Sequence, residues 1–142
     1  MTSLPRDLAA FVAAARVGRL ATVDQRGQPH IVPVCFVYSG GLIYSVLDAK
    51  PKRVPVAELR RVRNLLANHN VQLLVDHYDE DWSQLRYVQL RGTASSLETG
   101  AEHDAALADL RAKYSQYVSM PIDGSPIIRI EVVRHVAWSA TS

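Results

Sequence analysis

The run His30–Tyr38, HIVPVCFVY, constrains the fold of this chain more than any other stretch. It is β-branched and aromatic almost throughout, which suits a strand with at least one buried face. Pro33 stands inside it, and proline has no N–H to give to a neighbouring strand. Any sheet that contains this run must therefore place Pro33 at an edge, at a bulge or where pairing stops. Ser39-Gly40-Gly41 then turns the chain back into Leu42–Leu47, which predicts a hairpin.

Flanking signals extend the pattern. Ser3-Leu4-Pro5 predicts a helix start with Ser3 as its cap, and Leu4, Leu8, Phe11, Val12 and Ala15 share one helical face. Gly18 reads as the end of that helix. A short strand follows over Arg19–Val23, then a turn at Asp24-Gln25-Arg26-Gly27. A second helix is predicted from about Val56 to Asn68, with Val56, Leu59, Val62, Leu65 and Leu66 as its buried stripe. Val71–Tyr78 is a strand, and the acids Asp79, Glu80 and Asp81 lead to Trp82. Arg86–Leu97 alternates, with Tyr87, Gln89, Arg91 and Thr93 on one face, Val88 and Leu90 on the other, and Gly92 as a candidate bulge. Thr99 and Glu102 have the spacing of a capping box, opening a helix to about Tyr117. Ile127–Ser139 alternates less cleanly, as a strand buried on both faces does. Six mostly antiparallel strands and three helices make a mainly β chain, and strands of this number and length tend to close into a barrel.

Composition excludes several functions. With 142 residues, 48% hydrophobic and 21% charged, the chain reads as one soluble globular domain over 1–142. Arg6, Asp7 and Arg16 interrupt the N-terminal apolar residues, so neither a signal peptide nor a membrane span is expected, and the cytoplasm is the expected compartment. Cys35 is the single cysteine, which rules out an intrachain disulfide and reads as an inert thiol in an apolar strand. His30, His69, His77, His103 and His135 have no metal-ligand spacing, so no metal is expected, and His103 reads as a surface helix residue. There is no GxSxG, no phosphate-cradling glycine loop and no paired-carboxylate arrangement, so no side chain is assigned a catalytic role.

Charge is where the chain is unusual. Between Lys50 and Asn64, the basic residues Lys50, Lys52, Arg53, Arg60, Arg61 and Arg63 stand against Glu58 alone, a net +5 in a chain of net +2. The remainder is therefore −3. A local field opposed to the rest of the protein suits an anion site, a phosphate above all, because arginine offers paired planar donors. A solvated basic helix face would show the same charge. A compact cluster in an acidic remainder argues against nucleic acid, which asks for a broad basic surface.

The segments DQRGQPHIVPVCFVYSGGLIYSVLDAKPKR and LRRVRNLLANHNVQLLVDHYDEDWSQLRYVQLRGTA resemble the split-barrel flavin and deazaflavin oxidoreductases, the pyridoxamine-phosphate-oxidase-like proteins, and within them the F420-dependent branch. The pieces that carry the likeness are D-x-K-P-K at Asp48–Lys52, R-N-L at Arg63–Leu65 and LLVDHYDEDW at Leu73–Trp82. The resemblance covers about Leu4 to Leu97 well and the remainder more loosely. It implies a six-stranded antiparallel split β-barrel with flanking helices that forms a homodimer, with a flavin or deazaflavin at the subunit interface. It also implies that Ser45, Val46 and Asp48 line the ring or its side chain and that Trp82 approaches from the partner subunit. Arg61 stands where relatives commonly carry a phosphate-binding lysine, three residues before the helix asparagine, Asn64. Arg63 and Asn64 are implicated by motif position, and Lys50, Lys52 and Arg53 by charge and the loop signature. Leu59 departs from the family, because relatives often carry arginine there.

The resemblance implies coenzyme F420 as cofactor, hydride transfer to a small conjugated or tetrapyrrole-like acceptor, and a protein whose task is orientation rather than covalent catalysis. The alternatives are an FMN-binding oxidoreductase on the same barrel and a non-enzymatic carrier of a cofactor or tetrapyrrole.

Overall fold

The computed structural model describes residues 2–47 and 60–141, and the side chains of Arg60, Arg61 and Leu66 fall outside that description. The described elements are α1 (Arg6–Ala14), β1 (Gly18–Val23), β2 (Pro29–Val34), β3 (Val37–Ser39), β4 (Leu42–Val46), α2 (Arg60–Ala67), β5 (Asn70–His77), β6 (Arg86–Leu97), α3 (Ala101–Lys113) and β7 (Ile127–Ser139). All strand pairs are antiparallel, in the order β2-β1-β5-β6-β7-β4-β3.

The sequence reading expects six strands, and seven form among the described residues because the run His30–Tyr38 divides. Pro33 does lie on an edge strand, β2, where its missing donor costs no pairing. Its continuation, β3, occupies the opposite edge of the same sheet. Only Cys35 and Phe36 separate the two. Laid flat, seven strands would put those edges about 29 Å apart. Three residue steps reach at most about 11 Å. The sheet therefore has to curl until its edges nearly meet, which makes the split barrel. Phe36, fully buried, fills the closure point. Its N–H donates to the Tyr114 hydroxyl at 3.0 Å, and its carbonyl accepts from Lys113 Nζ at 2.8 Å.

Two apolar clusters follow from the curl. The barrel interior holds Leu20, Phe36, Leu73, Val75, Val88, Leu90 and Ile130 among others, with Phe11 of α1 packed against it. The second cluster joins Tyr44, Val46 and Ile127 to Leu107 and Leu110 of α3. The first half of β7 is thus covered on both faces, as its irregular pattern predicts, whereas Val133–Ser139 is half-buried or exposed. The hinge between the halves is a register shift: Arg91 pairs with Arg134 but Gly92 with Val132, leaving Val133 as the extra residue. Gly92 opposes that bulge closely, since a Cβ there would lie 2.4 Å from the Glu131 carbonyl oxygen.

Three terminal signals resolve differently. Helix α1 starts after Pro5 with no side-chain cap from Ser3, and it stops at Ala14, so that Gly18 opens β1 instead of ending the helix. Helix α3 has Gly100 at its cap and no capping box. Glu102 turns to the sheet instead, where one carboxylate oxygen accepts from the Tyr44 hydroxyl at 2.5 Å and from Arg129 Nε at 2.7 Å. Tyr44 and Arg129 are directly opposite across β4 and β7, so the carboxylate pins α3 onto two strands. His103 is buried, not on the surface; its Nε2–H donates to the Ser125 carbonyl at 2.8 Å, and that bond raises its pKa. Among the described residues no helix is long and apolar enough to cross a membrane.

The Tyr44 bond first, and the Arg129 bond second, hold the Glu102 carboxyl below its ordinary 4.5. Burial, then the Glu102 contact, push Tyr44 up to about 12. A depressed carboxyl contributes stability that is complete above pH 4.5 and is lost as pH falls through the folded-state value. Glu102→Gln should therefore flatten the fall in thermal midpoint on the acid side of pH 4.5, and an unchanged acid limb would show that the network adds nothing. Gly92→Ala should cost about 2–3 kcal/mol because backbone, not a movable side chain, stands in the way; chemical denaturation gives the number, and a neutral substitution would contradict the tight β6–β7 contact.

Candidate functional site

Helix α2 carries the described end of the basic stretch. Val62 packs against the barrel core and Leu65 is buried within it, which turns Arg63 outward. Asn64 lies between these two directions and is buried at 3% exposure. Its Nδ2–H donates to the hydroxyl of Thr22 on β1 at 2.9 Å, and Thr22 is buried as well. A paired buried amide is well placed, because leaving it unpaired would cost about 1–3 kcal/mol. This bond fixes the rotation and height of α2 on β1.

The chain leaves β1 at Val23 and turns at once. Asp24 Oδ1 accepts from the N–H groups of Arg26 and Gln28 at 2.8 and 2.9 Å, and the Gly27 N–H donates to the Asp24 carbonyl at 3.1 Å. This Asx-type turn sets Gln25 and Arg26 beside α2. Between turn and helix lies a cavity of about 470 Å³ lined by Asp24, Gln25, Arg26, Arg63, Asn64 and Ala67. Arg26 and Arg63 are both exposed, so two guanidinium groups border a polar opening with a fixed amide at its wall. Such an opening can take an anion such as a phosphate, with the Asp24 carboxylate partly occupied by backbone donors.

The residues expected from sequence are only partly brought together. Arg63 and Asn64 share this cavity. Asp48, Lys50, Lys52 and Arg53 lie outside the described residues, as do Leu59 and the Arg61 side chain. Ser45 and Val46 are buried on β4, and neither lines the cavity. The Ser45 hydroxyl donates to the Cys35 carbonyl at 2.7 Å, which braces the closure point from a third side. Trp82 is 67% exposed and begins a short 3-10 turn whose Asp81 carboxylate accepts from the Ser83 N–H and hydroxyl.

Trp82 also stands at the wrong end of the barrel to meet Arg63 in the same protomer. Strand β5 leaves α2 at Asn70, ends at His77 and only then reaches Trp82. Eight strand residues span about 25 Å. At Trp82's end, Tyr87 and Trp138 face each other across β6 and β7 and stack with ring centroids 5.8 Å apart. The residues that sequence reasoning passed over are Thr22, Asp24 and Arg26. The D-Q-R-G turn was visible as a turn, but nothing local said that α2 would pack beside it.

Comparison with known proteins bears on this geometry. A family model described as pyridoxamine 5′-phosphate oxidase matches residues 4–139. The 5a,11a-dehydrotetracycline/5a,11a-dehydrooxytetracycline reductase of Streptomyces rimosus subsp. rimosus is 32% identical over 96 residues, 63% of this chain. The match spans 61% of that reductase's own length. A conserved hypothetical protein of Mycobacterium tuberculosis superposes with a TM-score of 0.79 at 22% identity, covering 99% of this chain and 87% of the other. A structure described as an F420 reductase superposes at 0.70 and 20% identity, covering 94% and 98%. At these identities the two superpositions speak for the fold. The antiparallel barrel closed at Cys35–Phe36, together with a family match across nearly the whole chain, makes this protein a member of the pyridoxamine 5′-phosphate oxidase family of split-barrel proteins.

Proposed function

We propose that this protein is an F420-dependent oxidoreductase that passes hydride from the reduced deazaflavin to a small conjugated organic acceptor. The chain would act as one cofactor-binding domain over 1–142, in the cytoplasm, as a homodimer without a nucleic-acid or membrane partner. The observation that carries this reading is that Arg63 and Asn64, at the described end of the +5 stretch, line one cavity with Arg26, an opening of phosphate character. FMN brings one phosphate, whereas F420 brings a phosphodiester and a chain of glutamates, and a surplus of positive charge suits the longer polyanion.

The described residues fit the anionic end of such a cofactor. Arg63 and Arg26 would neutralise it, and Asn64, held by Thr22, would keep the helix in register while they do so. Arg61, Lys50, Lys52 and Arg53 are assigned the rest of the phosphate and tail. Ser45, Val46 and Asp48 are assigned the ring and its side chain. With its proton committed to Cys35, the Ser45 hydroxyl can serve a ligand only as an acceptor. When bound in reduced form, F420 supplies the hydride, and the protein's residues orient the ring and exclude water. The reductase name of the Streptomyces rimosus relative, whose substrates are dehydrotetracyclines, supports a conjugated acceptor.

The homodimer rests on two features. About 25 Å of β5 separates Trp82 from the cavity, so a site using both needs two copies. In addition, the outer face of β2-β1-β5-β6-β7 leaves apolar side chains uncovered: Ile31 at 64% exposure, Val133 at 51% and Trp138 at 46%. A second copy laid on this face would cover these apolar side chains.

Incubation with F420 and with FMN separately, followed by dialysis and an absorbance spectrum, tests the cofactor. Retained F420 and lost FMN are expected; the reverse would replace this reading with an FMN enzyme, and binding of F420 without turnover of any conjugated acceptor would leave a carrier. Arg61→Ala and Arg63→Ala should each weaken F420 binding by about tenfold, about 1.4 kcal/mol, with little change in thermal midpoint. Unchanged dissociation constants would remove both arginines from the site.

A further inference from the structure

A second cavity, of about 320 Å³, lies where the Cys35–Phe36 link meets the end of α3 and the 3-10 turn Ser115–Val118. It belongs to none of the elements assigned to the cofactor. Tyr114, Tyr117, Met120 and Cys35 give it a largely apolar wall, to which Ser115 and Gln116 add polar groups. Among the described residues that line it, Arg16 is the one that carries a charge. The Arg16 guanidinium lies 4.8 Å from the centroid of the Tyr114 ring and spends one Nη2–H on the Lys113 carbonyl at 2.9 Å. It enters none of the ion pairs formed among the described residues.

Lys113 stands behind the same wall. Its ammonium donates to the Phe36 carbonyl and sits 4.3 Å from the centroid of the Phe36 ring, again without a carboxylate. Burial, and then the charge of Arg16, push its pKa down to about 8. Arg16 thus borders the hollow with Lys113 behind its wall, and no acid is among the described residues that line it. The C-terminus of α3 accounts for part of this, because a helix end carries about half a negative charge and attracts cations. Two full charges exceed that need. The Arg16 fork retains N–H groups beyond the one given to Lys113, and a guanidinium fork matches a carboxylate in two-point geometry.

We propose that this cavity is a separate small-molecule site for an aromatic monocarboxylate, its ring against Tyr117 and Met120 and its carboxylate on Arg16. The volume lies at the small end of the range for small-molecule pockets and has room for a one-ring ligand. A single guanidinium at the rim suits a monoanion better than a phosphate dianion, and the aromatic and thioether walls favour a flat apolar body.

Cys35 is the only thiol in the chain and lines the cavity, so its alkylation reports occupancy. The rate of iodoacetamide labelling should fall saturably, by about tenfold at saturating benzoate, because the bound ligand shields the sulfur. Benzamide, of the same shape without the charge, should not protect. Arg16→Gln should abolish the protection by benzoate. Since Arg16 also braces the end of α3, Met120→Trp provides a second variant that fills the hollow and should make labelling slow and independent of benzoate. Labelling unaffected by benzoate in the wild type, equal protection by benzamide, or benzoate protection that persists in Met120→Trp would each overturn the proposal.

Discussion

Two residues, Cys35 and Phe36, join opposite edges of a seven-stranded sheet, and the rest of the structure depends on that closure. A short link between distant edges leaves the sheet only one shape, a tight curl. Once curled, the sheet has an inside, and the aliphatic side chains of β1, β5, β6 and β7 fill it. The link is also braced by side chains on its own backbone groups. Tyr114, Lys113 and Ser45 all bond to the Cys35–Phe36 peptide groups, from two separate elements. Helix α3 therefore acts as a clasp on the barrel seam, and the Glu102 contact to Tyr44 and Arg129 fastens its other end.

The candidate site grows from this scaffold at one point, the bond between Asn64 and Thr22. A strongly basic helix gains little from packing on a sheet unless something fixes which residues point outward. Val62 and Leu65 choose the face, and the amide bond sets the position along β1. Arg63 and the Asx-turn arginine, Arg26, then border one opening. The proposed anion site depends on this neighbour, which the basic stretch does not itself contain.

Much of this was legible in the sequence, for identifiable reasons. Strands β6 and β7 fall on the residues expected, Arg86–Leu97 and Ile127–Ser139, because long alternating runs carry a strong period. The Gly40-Gly41 hairpin was also readable from local backbone chemistry, and Gly92 marked the level of a bulge whose extra residue, Val133, lies on the neighbouring strand. The failures share a cause. The Thr99–Glu102 capping box lost to Tyr44 and Arg129, which are far away in sequence but adjacent in the fold. His103 looked exposed among charged neighbours, yet the Ser125 carbonyl offered it a buried partner. Pro33 announced an edge, but no local signal said that β3 would cross to the other one. At the candidate cavity, Arg63 and Asn64 were singled out by motif position, whereas Arg26 in its lining and Thr22 behind Asn64 were not, because that arrangement exists only once α2 docks on β1.

The central claim is that one cofactor site draws on two copies of this chain, with the α2 arginine from one and Trp82 from the other. Complementation tests it most directly. Arg63→Ala and Trp82→Ala are each prepared as homodimers with weakened F420 binding, then unfolded and refolded together. In a shared site, each mixed dimer has one intact site and one doubly altered site, so about a quarter of all sites should regain the affinity of the unaltered protein. Recovery of that fraction in a fluorescence titration is the predicted result. A mixture that binds F420 no better than its two parents would contradict the account.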